Sequence, residues 1–260
     1  MKVHQWLLVI LLIKALSVDA QELFPPPVKP NTAFRSGEIL SYQIRYGFIV
    51  AGLATLSLTE EVYNEKLVFR AKTLAETTGL ADKLYGVKDI YESWFDQKTN
   101  LPYKQVRDIN EGRYKNYNEV TYNRQKNTVN SKISGVHSVP AKILDLTSTF
   151  YYIRRIDFSK IKENDVLSVN MYFSDEVSLF RFVYKGKETI RTKFGKTRCI
   201  KICPVVEVGR MFKTPNDLTV WFTDDENCLP VLVQMDVRVV GSVLLKLIKY
   251  ENTLNLITMQ

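Results

Sequence analysis

Leu40-Ser41-Tyr42-Gln43-Ile44-Arg45-Tyr46 alternates large apolar and polar side chains without a break. Successive side chains on a strand point to opposite faces, so this stretch predicts a strand with one face buried. Gly47 and Gly52 bracket a short turn, and Leu53–Glu60 resumes the alternation as a second strand. Leu67–Glu76 reads as a third. Thr78 to Tyr85 breaks the pattern and is read as a short helix. Val87–Asp96 returns to strand, and Leu101-Pro102 stops it. Tyr103–Tyr122 reads as a hairpin turning near Glu111-Gly112, and Thr128–Ile133 as a further strand.

Gly135 to Pro140 reads as a loop. Leu144 to Ile156 is the best helix candidate, because Leu146, Phe150 and Ile153 fall at i, i+4 and i+7. Arg154 and Arg155 lie off that stripe, and Asp145 or Thr147 is placed to cap the start. Strands resume at Val166–Phe173, Phe180–Lys185, Glu188–Phe194, Thr197–Glu207, Leu218–Thr223, Pro230–Val240 and Val243–Glu251. About fourteen strands and one main helix exceed a simple sandwich. The expected fold is therefore mainly β, a large curved antiparallel sheet or open barrel. One β-rich domain spans 34–255, with 135–145 as its only seam.

The composition sets the limits. Of 260 residues, 45% are hydrophobic and 25% charged, as in a globular protein. Aromatics at 12% can build a core, which excludes disorder as the main state. Residues 1–20 read as a signal peptide: Lys2, the apolar run Trp6 to Ile13, then Val18-Asp19-Ala20. That run is too short to span a bilayer, and no other long apolar run follows, so no transmembrane span is expected after cleavage. Residues 21–33, with Pro25-Pro26-Pro27 and Pro30, read as an extended proline-rich leader. The expected location is exported, periplasmic or associated with the outer envelope.

Export gives meaning to the three cysteines. Cys199 and Cys203 lie four apart in one strand, about 13 Å between Cα atoms, too far to pair. Either one could pair with Cys228, Cys203–Cys228 being one bridge to look for. Three buried reduced thiols is the other reading.

The formal charge of +8 is spread over both halves. Arg181 to Lys201 stands out, with eight basic residues and one acid, Glu188. Arg181, Lys185, Lys187, Arg191 and Lys193 share one parity, and Phe182, Tyr184, Ile190 and Phe194 the other. In a regular strand the five cations would share a face. That face is read as solvated, or as a patch for an anionic lipid headgroup. Nucleic acid is not expected, since no binding module is present.

Catalytic signals are weak. His137 is the only histidine after the expected signal peptide, with no Gly-x-Ser-x-Gly elbow, and no phosphate-cradling glycine loop is present. Glu92 and Asp96 share a strand face but stand about 13 Å apart, too far for glycoside hydrolysis. No cofactor and no metal site are expected: Asp224, Asp225 and Glu226 lack calcium-loop spacing. The aromatics say more. Tyr42, Tyr46, Trp94, Tyr151 and Trp221 are read as core, or as the lining of an apolar cavity for an elongated ligand.

The sequence also carries a resemblance. Its opening residues are Phe34-Arg35-Ser36-Gly37-Glu38, Leu40, Tyr42, Tyr46-Gly47 and Ala51-Gly52. Asp89-x-Tyr91-Glu92-Ser93, Leu101-Pro102 and Asp145-x-x-Ser148 leading into Tyr151-Tyr152-Ile153-Arg154 continue it. Gly186-x-Glu188, Gly195-Lys196, Val220-Trp221-Phe222-Thr223-Asp224, Pro230-Val231 and Val240-Gly241-Ser242 complete it. In this order the segments resemble an exported bacterial family, domain of unknown function 3108, over roughly Phe34 to Tyr250. The resemblance implies an exported β-rich domain and supplies no enzyme activity. A looser likeness is to envelope lipoprotein carriers, whose curved sheet cups acyl chains; that is fold analogy alone. The expected function is a non-enzymatic binding or carrier protein for an amphiphilic, lipid-like envelope component. The alternatives are an assembly partner for another envelope protein and, more weakly, a hydrolase with an unrecognised acidic site.

Overall fold

The structure, a computed structural model, describes residues 20–207, 212–214, 217–238 and 241–258. Among these, fifteen strands build one sheet. The first half of the chain supplies β1 (Glu22–Leu23), β2 (Ile39–Tyr46), β3 (Ile49–Tyr63), β4 (Lys66–Thr77), β5 (Lys88–Asp96), β6 (Pro102–Glu111), β7 (Tyr114–Asn123), β8 (Thr128–Ser131) and β9 (Gly135–Ser138). The second half supplies β10 (Val166–Phe173), β11 (Glu176–Thr192), β12 (Gly195–Pro204), β13 (Leu218–Thr223), β14 (Pro230–Val237) and β15 (Gly241–Glu251). Two helices interrupt them, α1 (Gly79–Leu84) and α2 (Leu146–Ile153).

Period-two alternation explains the ladder. Strands β2 to β9 lie side by side in chain order, as do β10 to β15, and β15 pairs with β2 to join the halves. Every pairing is antiparallel except β1 with β10. The sheet then curls until its distant parts touch. Tyr172 on β10 meets Tyr122 on β7 with ring centroids 6.4 Å apart, and both share a buried cluster with Val129 on β8. Asn118 Nδ2 donates to Asp175 at 3.1 Å, and Arg107 Nη1 to Ser174 Oγ at 2.6 Å. Side chains, rather than a backbone ladder, hold this barrel-like closure.

Helix α2 joins the two halves of the core. The Tyr151 ring lies 4.8 Å from Phe34 and 5.3 Å from Phe95, in a cluster with Leu40, Leu56 and Leu58. Ile153 packs instead with Ile200, Ile202 and Phe222 from the other half.

Several elements differ from the sequence reading. Gly135–Ser138 is a strand, not a loop: β8 is short and its partner follows at once, so little alternation could show. The two strands expected over 180–194 are one long strand, β11, with a bulge. The proline-rich leader is docked on the sheet, a contact its composition does not reveal: Glu22 and Leu23 pair with Val166 and Leu167, Val28 bridges Ile156, and Ala33 is buried. Helix α2 is shorter than Leu144–Ile156, and its stripe is rotated. Leu146 is exposed, while Thr147, Ser148 and Tyr151 are buried. The signal-peptide reading of residues 1–20 lies outside the described residues, apart from Ala20. Among the described residues no helix is long and apolar enough to cross a membrane.

Candidate functional site

The most deeply buried polar groups gather around α2. Asp145 caps the helix: its side chain accepts from Ser148 N at 2.6 Å, and Ser148 Oγ accepts from Asp145 N at 3.0 Å. Ser93 Oγ on β5 donates to the other carboxylate oxygen at 2.5 Å. Burial pushes the Asp145 carboxyl up to about 6, against the hydrogen bonds from Ser148 and Ser93. At the other end, Arg154 leaves the helix and enters the core. Its Nη1 and Nη2 grip Glu38 at 2.6 and 2.8 Å, Nη2 also reaches Ala33 O, and Nε donates to Asn227 O. Burial opposes its charge, but the Glu38 carboxylate outweighs burial and holds the guanidinium above its ordinary value. Arg155 is buried too, donating to Lys29 O and to the Asn100 side chain. Off the helix's apolar stripe, both arginines are the clamps that fasten α2 to the leader and to the residue before β2.

The five cations of the basic segment do not share a face. Tyr184 stands opposite Ile202 but Lys187 opposite Ile200, so β11 takes three steps where β12 takes two. This bulge at Lys185-Gly186, with Gly186 at φ +79°, inverts the parity of every residue beyond it. Arg181 pairs with Glu22 at 3.3 Å, and Lys185 donates to Asn164 Oδ1 at 3.1 Å. Lys187 pairs with Asp224 at 2.7 Å. Only Arg191 and Lys193 reach a cleft together.

The aromatic set does not line one cavity either. Tyr42, Tyr151 and Trp221 are core residues of one cluster. The Tyr42 and Tyr151 hydroxyls have no protein partner, and burial raises both above the ordinary tyrosine value. Trp221 Nε1 donates to Glu188 at 2.6 Å. Trp94 sits apart, between the Arg70 guanidinium at 4.9 Å and the Lys104 ammonium at 5.2 Å. Tyr46 is exposed at the end of β2. The Cys203–Cys228 bridge is also corrected: all three thiols are free and buried. Cys228 packs with Ile200 and Ile202, whose parity on β12 is opposite to that of Cys203, so the two sulfurs lie on different faces. Burial pushes the Cys228 thiol up to about 12.

Arg191 and Lys193 belong to the β11–β12 tip, which leans over β14 and β15. Phe194 meets Tyr250 at 5.1 Å, and Ile190 packs against the cluster holding Val231 and Leu247. Between tip and sheet lies a cleft of about 470 Å³. This falls within the usual range for small-ligand sites. Its floor includes Ile190, Val231, Leu232 and Leu247, and its cations are Arg45, Arg191, Lys193 and Lys246. Lys246 stands directly opposite Gln43 on β2 and Leu232 on β14, so the three project to one face. Arg45 donates to Gln43 Oε1 at 3.2 Å and to Phe48 O at 2.8 Å, both neutral acceptors. Among the described residues no carboxylate forms an ion pair with any of these four cations. A cleft built this way attracts an anionic group and can shelter an apolar chain beside it. Sequence reasoning missed Arg45 and Lys246. Each is one polar residue in an alternating strand, and nothing local marks it as facing a hairpin tip.

The fold and cleft define a class, a barrel-like antiparallel sheet packed around one helix and carrying a cationic groove. The chain belongs to the family described as "Protein of unknown function (DUF3108)", whose model matches residues 41–248. Its fold is similar to that of a crystal structure, a "Beta-barrel-like Protein of Domain of Unknown Function DUF1849" from Brucella abortus. The TM-score is 0.56 at 10% identity, over 84% of this chain and 99% of that one. A DUF1089 family protein from Pseudomonas aeruginosa aligns with a TM-score of 0.38 at 10% identity, over 72% of this chain and 90% of that one. No curated protein matches.

Proposed function

We propose that this chain is an exported, non-enzymatic binding or carrier protein for an anionic amphiphile of the cell envelope, held in the cleft beneath the β11–β12 tip. The observation that supports this reading is the pairing of four cations, which lack carboxylate partners among the described residues, with a floor of isoleucine, valine and leucine. Cations whose charge no internal carboxylate neutralises leave it for a ligand, and apolar side chains at the base of a groove gain by being covered.

The test is titration with lysophosphatidylglycerol, a soluble anionic amphiphile with one acyl chain. The double variant R191E/K246E should weaken binding by at least about tenfold, the loss expected from replacing two attractive contacts by repulsive ones. The control R181E/K185E, whose partners lie outside the cleft, should bind as the parent does. Equal behaviour of the two variants, or no binding by the parent, would sink the reading.

Assembly with another envelope protein is the second reading. It is favoured by β9, which has β8 as its one ladder partner among the described strands and exposes Val136.

A further inference from the structure

We infer that one end of the barrel is a docking surface for an anionic lipid bilayer, and that the cleft opens beside it. The β2–β3 turn presents Phe48, 88% exposed, with Ile49 also exposed. Helix α1 stands next to it, because Thr78 N at its start donates to Ala51 O at 3.0 Å. No residue of α1 is buried: Leu80 is 70% and Leu84 78% exposed, and the following Tyr85 is exposed too. An exposed helix of six residues with two outward leucines has no folding reason to be apolar. Exposed apolar side chains on two neighbouring tips, with aromatic rings among them, are the pattern of a segment that enters the headgroup region.

Charge complementarity selects the partner. Arg45 lies at the base of the Phe48 turn and donates to the Phe48 carbonyl, while its guanidinium also lines the cleft. Behind it stand Arg191, Lys193 and Lys246, with no carboxylate partner among the described residues. Lys83 lies on α1 and Lys88 just beyond it. Among the described residues, acids near this end have partners, Asp236 accepting from Gln234 Nε2 at 3.1 Å and Asp217 from Thr214 N at 2.9 Å. Asp82 accepts from Thr77 Oγ1 at 3.0 Å, and Glu76 lies opposite Lys88 in the ladder. Glu111 lies against Asp89, and its backbone carbonyl accepts from the Tyr85 hydroxyl. Apolar tips backed by unpaired cations fit a surface of anionic headgroups over acyl chains. The cleft meets this surface at Gly47, the residue before Phe48. A single-chain amphiphile leaving the bilayer would therefore pass into the cleft without crossing bulk water.

The inference adds to the proposed function and does not depend on it. The test is sedimentation of the purified protein with phosphatidylcholine vesicles, with and without phosphatidylglycerol. The parent should co-sediment with the anionic vesicles and be released by salt. The double variant F48D/L84D, altered only at exposed positions, should lose at least about tenfold in partitioning. It should still bind lysophosphatidylglycerol in solution as the parent does. F48W should shift its fluorescence to the blue with anionic vesicles. Co-sedimentation unchanged in F48D/L84D, or absent in the parent, would overturn the inference. So would a parent dimer that the variant abolishes, since a second copy would then cover this end. Vesicle binding without lysolipid binding would instead refute the cleft reading and leave the docking surface standing.

Discussion

Arg154 and Glu38 form an ion pair whose side chains are both 0% exposed, so neither charge has solvent to fall back on. The pair is held by two short bonds, and two further guanidinium protons go to the Ala33 and Asn227 carbonyls. A buried pair satisfied in this way adds little over an apolar pair, but removing one partner strands the other. Glu38→Ala should therefore cost about 3–5 kcal/mol, read as a lower urea midpoint. The double variant E38A/R154M should cost clearly less than the sum of its two single changes. Simple additivity would mean that the two groups do not work as a unit. The sequence displayed both residues among those carrying the family resemblance, yet gave no hint of contact. They are 116 positions apart, and an arginine after a helix normally reads as solvated.

Helix α2 has few apolar residues aimed at the core, so its cap and its polar contacts carry much of its placement. Asp145 is the most exposed to pH. Its carboxyl is raised from an ordinary 3.8 to about 6 by burial, so between these values the folded chain binds more protons than the unfolded chain. Stability then falls as pH rises through that window, by up to about 3 kcal/mol in all. Asp145→Asn keeps an oxygen for the Ser148 amide and cannot ionise. It should flatten the pH dependence of thermal unfolding between about pH 4 and pH 6. An unchanged slope would place the titration elsewhere. The cap was legible from the sequence only as a choice between Asp145 and Thr147, and the structure selects Asp145. The buried face was not: Thr147 and Ser148 are buried, and the Asp145 carboxylate beside them is held by Ser93 on β5, a fact about another element.

The whole sheet closes through side chains, and its stability should not be uniform. β3 and β4 share a twelve-residue ladder, whereas β8 and β9 share four residue pairs at one edge. What steadies that edge is the contact of two strands with the β10–β11 turn: Asn118 on β7 reaches Asp175, and Arg107 on β6 reaches Ser174. The variant N118A/R107A should therefore speed amide exchange in β8 and β9 while leaving β3 and β4 protected. Uniform change along the sheet would mean that the closure does not act locally.

Alternation along each strand is a local property, so the sequence by itself determined the β class and most strand positions. It also marked Arg191 and Lys193 as members of a basic segment. Tertiary structure decided the rest, because each remaining feature joins distant elements or turns on a single inserted residue. One extra residue at Lys185-Gly186 moved Lys187 and Arg191 to the face opposite Arg181. The curl of the sheet and the lean of the β11–β12 tip brought Arg45 and Lys246 to the same cleft. A period of two fixes which side of a strand a residue occupies, but only the closed sheet fixes what that side meets.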